Sequence, residues 1–209
     1  EVGVNHLGDM NIARKLIDIG VSAKVDAIKF QAYRTERLIS AEDPYWRERL
    51  KPKELSFHDI KKLKEQCVNK NIPFICTAHE EESADFLESI GVEVFKIGSG
   101  EVANLPFLRY VAKKGKPIIL STGMYTLSDI EKAIKAIVST GNENIVLLHC
   151  VTNYPTKPEE VNLKFISTLA RAFGFPVGYS DHAFGYEIPL AAVSLGAVMI
   201  EKHITLDHN

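Results

Sequence analysis

Short β-rich runs alternate with longer stretches of helical period from one end of this chain to the other, and no other feature constrains its fold as much. A strand running parallel to its predecessor needs a crossover of a dozen or more residues, and a helix is the usual way to fill it. The runs read as strands are Val2–Asn5, Ala27–Ala32, Pro73–Thr77, Val94–Gly98, Pro117–Ser121, Ile145–Cys150, Pro176–Ser180 and Ala197–His203. Eight strands with seven connections predict an α/β fold, a TIM (β/α)8 barrel truncated before its last helix. Such barrels take about 250 residues. This chain has 209, opens inside a strand and stops at Thr205-Leu206-Asp207-His208-Asn209, so a domain cut from a longer protein is expected, with residues 1–209 as one unit. A doubly wound open sheet is the runner-up; against it, no GxGxxG follows the first strand.

The connections carry helical signals. In Ser128–Val138, Ile130, Ala133, Ile134 and Ile137 share one face, with Glu131, Lys132 and Lys135 outside. Ser128 and Glu131 have the spacing of a capping box that would open this helix. Gly91, Gly115 and Gly141-Asn142 mark the turns into the following strands. The longest connection, Tyr33–Lys53, holds the only tryptophan, Trp46. It reads either as a lid or as a loop with Trp46 packed beneath it.

In a TIM barrel, chemistry sits where strands end. Polar residues stand there at almost every strand: Asn5 and His6; Lys29 and Gln31; Thr77 and His79; Lys96 with Ser99 and Glu101; Ser121 and Thr122; Thr152, Asn153 and Tyr154; Ser180, Asp181 and His182; Glu201 and His203. Convergence from eight strands is hard to explain by packing alone. Strands covered by helices should be apolar on both sides, so charges inside them are costly without a partner or a ligand. For either lysine alone, a structural Lys–Glu pair is a serious competitor. For Lys29 and Lys96 together, beside Ser99, Ser121 and Ser180, a phosphate or carboxylate cradle is the better explanation. His182 and His203 close neighbouring strands and are read as sharing one divalent metal, with Asp181 and Glu201 beside them. His149, inside a strand, is expected to pack, and His58 and His208 to lie on the surface.

Charge and cysteine usage narrow the partners. A formal net charge of −2, with Lys and Arg spread along the chain, gives no basic stripe for nucleic acid. No apolar run approaches the roughly 20 residues of a membrane span, and the start lacks a signal peptide's basic region and apolar core. Cys67, Cys76 and Cys150 are odd in number and without CxxC spacing, which points to reduced core or surface thiols and a cytoplasmic protein.

Several blocks together are similar to the N-acetylneuraminate (sialic acid) synthase family. They are Glu1-Val2-Gly3-Val4-Asn5-His6, Lys29-Phe30-Gln31, Lys96-Ile97-Gly98-Ser99-Gly100-Glu101 and Ile119-Leu120-Ser121-Thr122-Gly123-Met124. They continue with Leu148-His149-Cys150, Asn153-Tyr154-Pro155, Gly178-Tyr179-Ser180-Asp181-His182 and Glu201-Lys202-His203, in family order across nearly the whole chain. The resemblance implies a TIM barrel that joins phosphoenolpyruvate to the open-chain aldehyde of N-acetylmannosamine or a related amino sugar. The products would be a nine-carbon 2-keto acid and phosphate. It implies a divalent cofactor, manganese or magnesium, on His182 and His203. It places Lys29, Lys96, Ser99, Ser121, Asn153 and Ser180 at the phosphoenolpyruvate and Glu101, Tyr154 and Asp207 at the sugar, with Gln31 among the substrate-binding residues. Glu1 and Glu201 become the proton-transfer carboxylates.

Two departures stand out. Many family members read Ser/Thr-Pro-Phe where this chain has Thr77-Ala78-His79, so His79 either contacts substrate or fills the place of an aromatic ring. The family's small C-terminal antifreeze-like domain is absent from this sequence; in the family it reaches a partner's active site within a homodimer and supplies an arginine for the sugar. The rival readings are a class I aldolase with Lys96 as its Schiff base, a synthase acting on a plain aldose phosphate, and a non-catalytic sugar-binding barrel in surface-polysaccharide assembly.

Overall fold

Seven of the expected runs are strands: β1 Ile28–Ala32, β2 Phe74–Ala78, β3 Phe95–Ile97, β4 Ile118–Ser121, β5 Ile145–Cys150, β6 Val177–Asp181 and β7 Ile200–Lys202. The computed structural model describes residues 1–207, so His208 lies outside the described residues. These residues form two compact units, one of Glu1–Glu93 with the residues from His203 on, the other of Val94–Lys202.

In the first unit β1 pairs in parallel with β2, from Ile28 opposite Phe74 to Ala32 opposite Ala78. In the second, β3 to β7 pair in parallel in chain order. Several ladders open one residue later than the sequence suggests because a proline precedes them. Pro73, Pro117 and Pro176 have no N–H to donate, yet their carbonyls accept from Ile28, Phe95 and Leu147 at 2.9, 2.9 and 3.0 Å.

The first expected strand, Val2–Asn5, is instead a set of turns. Val2 N–H does donate to the Lys29 carbonyl at 2.8 Å, and Ile204 N–H to the Glu1 carbonyl at 2.8 Å, so Glu1 and Val2 lie like a fragment of strand within the first unit. Gly3 then breaks the run with a φ of +55°, a region open to glycine at little cost. A side chain there would also collide with His203, since a Cβ would stand 2.8 Å from its Cε1. Asn5 N–H closes back on the Val2 carbonyl at 3.0 Å.

Helices fill the crossovers. In the first unit these are α1 Met10–Ser22, α2 Thr35–Leu38, α3 Pro44–Leu50, α4 Phe57–Asn69 and α5 Glu81–Ser89. In the second they are α6 Leu105–Ala112, α7 Leu127–Val138, α8 Lys164–Phe173 and α9 Glu187–Ser194. On α7 the expected face is buried, Ile130, Ala133, Ile134 and Ile137 with Ala136 beside them, each isoleucine contributing roughly 2 kcal/mol by transfer from water. The capping box is Thr126 with Asp129, not Ser128 with Glu131. The turn after β4 closes with Tyr125 N–H on the Thr122 carbonyl, so Thr126 is the last extended residue and Ser128 is already helical.

The long connection after β1 is ordered by Glu54. Its carboxylate accepts from Thr35 N–H at 2.8 Å, from the Thr35 hydroxyl at 2.7 Å and from Lys51 at 3.1 Å, while Arg34 reaches it at 3.3 Å and lies over the Phe57 ring. Trp46 stands half exposed beside Tyr45, so it is not packed beneath the loop. All three cysteines are free and buried. No described helix is long and apolar enough to cross a membrane.

Candidate active site

In β3, alternation sends Lys96 to one side and its neighbours Phe95 and Ile97 to the other. Lys96 is 3% exposed. Its ammonium donates to Ser121 Oγ at 2.7 Å and to the Ile97 carbonyl at 3.1 Å, and stands 3.8 Å from Glu201 Oε1. Glu201 sits opposite Ser180 in the β6–β7 register and accepts its hydroxyl at 2.8 Å. A chain of polar contacts therefore runs Ser121–Lys96–Glu201–Ser180 through the ends of four strands. Taking a lysine and a carboxylate out of water costs several kcal/mol each, and an apolar core would have avoided it. One residue along, Asp181 and Lys202 form an ion pair across the same register. That second pair ties β7 to β6.

Ser99 opens the short turn Ser99–Glu101 after β3. Its Oγ accepts the Gly123 N–H at 2.9 Å and lies 3.2 Å from Cys150 Sγ. Glu101 is buried, and burial raises its carboxyl above the usual range although the Asn104 amide donates to it at 2.7 Å. The His182 ring donates from Nδ1 to the Val151 carbonyl at 2.6 Å. Burial lowers its pKa, so the ring is held neutral, and in this tautomer Nε2 carries the lone pair. Tyr154, at a cis Tyr154–Pro155 bond, lays its ring 4.1 Å from that of His182. Asn153 is not gathered in; it is exposed and donates to Glu160 at 3.0 Å.

A second cluster belongs to the first unit. Glu1 and Lys29 form a buried ion pair. Lys29 also donates to the Thr77 hydroxyl at 3.3 Å, and Glu1 accepts the Gly3 N–H at 2.5 Å. Gln31 lies half-buried in β1 opposite Thr77. His203 backs directly onto Gly3. His79 meets Tyr33 edge-on at 6.2 Å, as an aromatic ring would. Asp207 is exposed and its N–H donates to the Thr205 hydroxyl.

His149 packs as expected, donating to the Val161 carbonyl at 2.7 Å between Phe165 and Tyr179. Among the described residues no three His, Cys, Asp or Glu side chains converge as a metal cage. A resident cation would therefore draw much of its shell from water and substrate oxygens, as hard divalent ions do. The state of His182 fits that role, because metal-ligating histidines typically donate their other N–H to a carbonyl or carboxylate.

Two participants escaped the sequence. Thr77 was legible only as a polar strand end; its register with Gln31 makes it the partner of Lys29. Cys150 read as a reduced core or surface thiol, and nothing local showed that β5 ends beside Ser99.

Known proteins resemble this chain over its whole length. An N,N'-diacetyllegionaminic acid synthase of Campylobacter jejuni is 44% identical over 100% of this chain and 67% of its own length. A protein of the same name from Legionella pneumophila is 40% identical over 99% of this chain and 63% of its own. The chain thus spans about two thirds or less of these relatives. A crystal structure of N-acetylneuraminic acid (sialic acid) synthetase from Leptospira borgpetersenii, in complex with citrate, superposes with a TM-score of 0.95 at 41% identity, over 99% of this chain and 72% of that one. The NeuB family model matches residues 16–209, and the chain belongs to the NeuB family.

Proposed function

We propose that the full-length protein condenses phosphoenolpyruvate with an N-acetylmannosamine-like amino-sugar aldehyde to give a nine-carbon, sialic-acid-type 2-keto acid and phosphate. The observation that carries this reading is the buried chain Ser121–Lys96–Glu201–Ser180 at the ends of parallel strands. The names of the relatives support it. We read the whole protein as a (β/α)8 barrel of the cytoplasm that works as a homodimer, with the chain described here as its catalytic portion.

Lys96, Ser99, Ser121 and Ser180 hold the anionic substrate, their ammonium and hydroxyl groups offering donors where an apolar strand would offer none. C3 of phosphoenolpyruvate forms the new bond to the aldehyde carbon. Water then adds at C2, and the C2–O bond to phosphate breaks. Glu201, held by Ser180 and beside Lys96, takes and returns protons at this centre, and Glu1 is assigned as base for the water. Lys29, its partner, belongs to the same chemistry, as do Gln31 and Asn153. Glu101, Tyr154 and Asp207 are assigned to the sugar. A divalent manganese or magnesium ion on His182 and His203 would supply Lewis-acid polarisation of the aldehyde oxygen.

The test is phosphate release from phosphoenolpyruvate by the full-length protein. The arms are a panel of mono- and diacetamido sugars, manganese or chelator, and the variants His182→Ala and His203→Ala. Metal-dependent release with one sugar, lost in both variants, establishes the synthase and names its substrate. No release with any sugar, or release indifferent to chelator, overturns the proposal.

A further inference from the structure

Ser99 is gripped by two groups that none of the roles above uses. Gly123 N–H donates to its Oγ at 2.9 Å, and Cys150 Sγ lies 3.2 Å from the same oxygen. Both neighbours are placed by the sheet: Gly123 follows β4 and buried Cys150 ends β5, with Ser121 opposite Leu148 two residues earlier. The fit is tight. A Cβ on Gly123 would stand 2.8 Å from Cys150 Sγ and 2.9 Å from the Cys150 carbonyl oxygen, closer than real Cβ atoms come.

A serine hydroxyl has one proton and two lone pairs. Gly123 occupies one lone pair. If Ser99 gave its proton to sulfur, it would have nothing to offer an anion. If the thiol donates S–H instead, both lone pairs are filled and the hydroxyl proton can only point outward. The second arrangement alone makes Ser99 a donor to a phosphate or carboxylate. A thiol is a weak enough donor to yield when no anion is present.

We propose that Cys150 is a positioning residue for Ser99: its thiol donates S–H to Ser99 Oγ and so commits the Ser99 hydroxyl proton to the phosphoenolpyruvate anion. The inference rests on the assignment of Ser99 to that substrate. No covalent bond is made or broken at sulfur.

Steady-state kinetics on the full-length protein separate this role from packing. Cys150→Ala and Cys150→Val both remove the donor, the valine at nearly conserved volume, whereas Cys150→Ser keeps a donor in a more polar side chain. Loss of one such hydrogen bond should raise KM for phosphoenolpyruvate about 5- to 20-fold in the alanine and valine variants. In the same variants kcat and KM for the sugar should stay within about twofold, and Cys150→Ser should remain close to the parent protein. A packing role predicts the reverse order, with valine best tolerated and serine worst. In a Ser99→Ala background, Cys150→Val should add nothing. An unchanged KM in both donor-free variants, a serine variant as impaired as valine, or an effect that persists without the Ser99 hydroxyl would each overturn the inference. Ser99→Ala by itself keeps the two readings apart. If it leaves KM for phosphoenolpyruvate untouched, the assignment of Ser99 falls and takes Cys150 with it; a Ser99 effect with no Cys150 effect sinks the inference alone.

Discussion

Lys29 and Lys96 hold the same place in different strands, each the second residue of its strand and each buried, yet they are satisfied in different ways. Lys29, in the first unit, is in direct ion-pair contact with Glu1. Lys96, in the second, makes its hydrogen bonds to neutral oxygens, Ser121 Oγ and the Ile97 carbonyl, while Glu201 keeps to 3.8 Å and takes the Ser180 hydroxyl. The difference teaches that a buried cation can be stored in two forms. A direct pair holds its lysine by charge, and whatever separates the two must compensate for both. A lysine held by hydroxyls can exchange a neutral oxygen for an anionic one with little rearrangement, which is what a phosphate-binding group needs.

That contrast can be broken most sharply through stability. Lys29→Met leaves the Glu1 carboxylate buried without its cation, and should cost about 3–5 kcal/mol in urea unfolding. The double variant Lys29→Met/Glu1→Gln should recover most of the loss. If Lys96→Met destabilises as much as Lys29→Met, the distinction between the two clusters is wrong. Activity should show the opposite ranking of cause. Lys96→Met should lower phosphate release by about 10²–10³-fold, the usual effect of removing a preorganised charge-stabilising donor, while its melting temperature moves little.

Acid tests the two units through buried histidines. His6, in the first unit, accepts the Gly8 N–H on Nδ1 and is 1% exposed; burial, aided by the charge of Lys53, lowers its pKa to about 4. The folded ring therefore stays neutral where the unfolded chain, titrating near 6.5, takes up a proton. The stability involved is fully present above pH 6.5 and is lost as pH falls from there toward 4, on the order of 3 kcal/mol in all. His149, in the second unit, is also lowered by burial, but its ring donates to a carbonyl, a bond that protonation does not break. Urea unfolding from pH 7 to pH 4 should therefore flatten more in a His6→Asn variant than in His149→Asn; equal slopes would place the acid sensitivity elsewhere. The smallest effect concerns the hydroxyl partners. Ser121→Ala should raise KM for phosphoenolpyruvate about tenfold, and Thr77→Val by about twofold or less, a difference near 1 kcal/mol, in line with one net hydrogen bond.

Much of this was readable from the chain. Strand period and helical period are local, so β1 to β7 and the buried face of α7 followed from residue order alone. So did the polar strand ends, because charge inside a strand covered by helices has no cheap packing explanation. Local rules failed where two answers were locally equal. Ser128 and Glu131 match a capping box as well as Thr126 and Asp129 do, and the turn after β4 chose between them. Val2–Asn5 has strand composition, but Gly3 must turn where His203 comes up against it, some two hundred residues along the chain.

The amino-acid sequence by itself determined the βα order, the family, and which side chains are polar where the strands end. Only the tertiary structure decided which of those side chains meet: Glu1 with Lys29, Ser180 with Glu201, Cys150 with Ser99. The physical reason is that periodicity is a property of neighbours a few residues apart. A hydrogen bond between strand ends depends on register, and register is set by the packing of whole strands against one another.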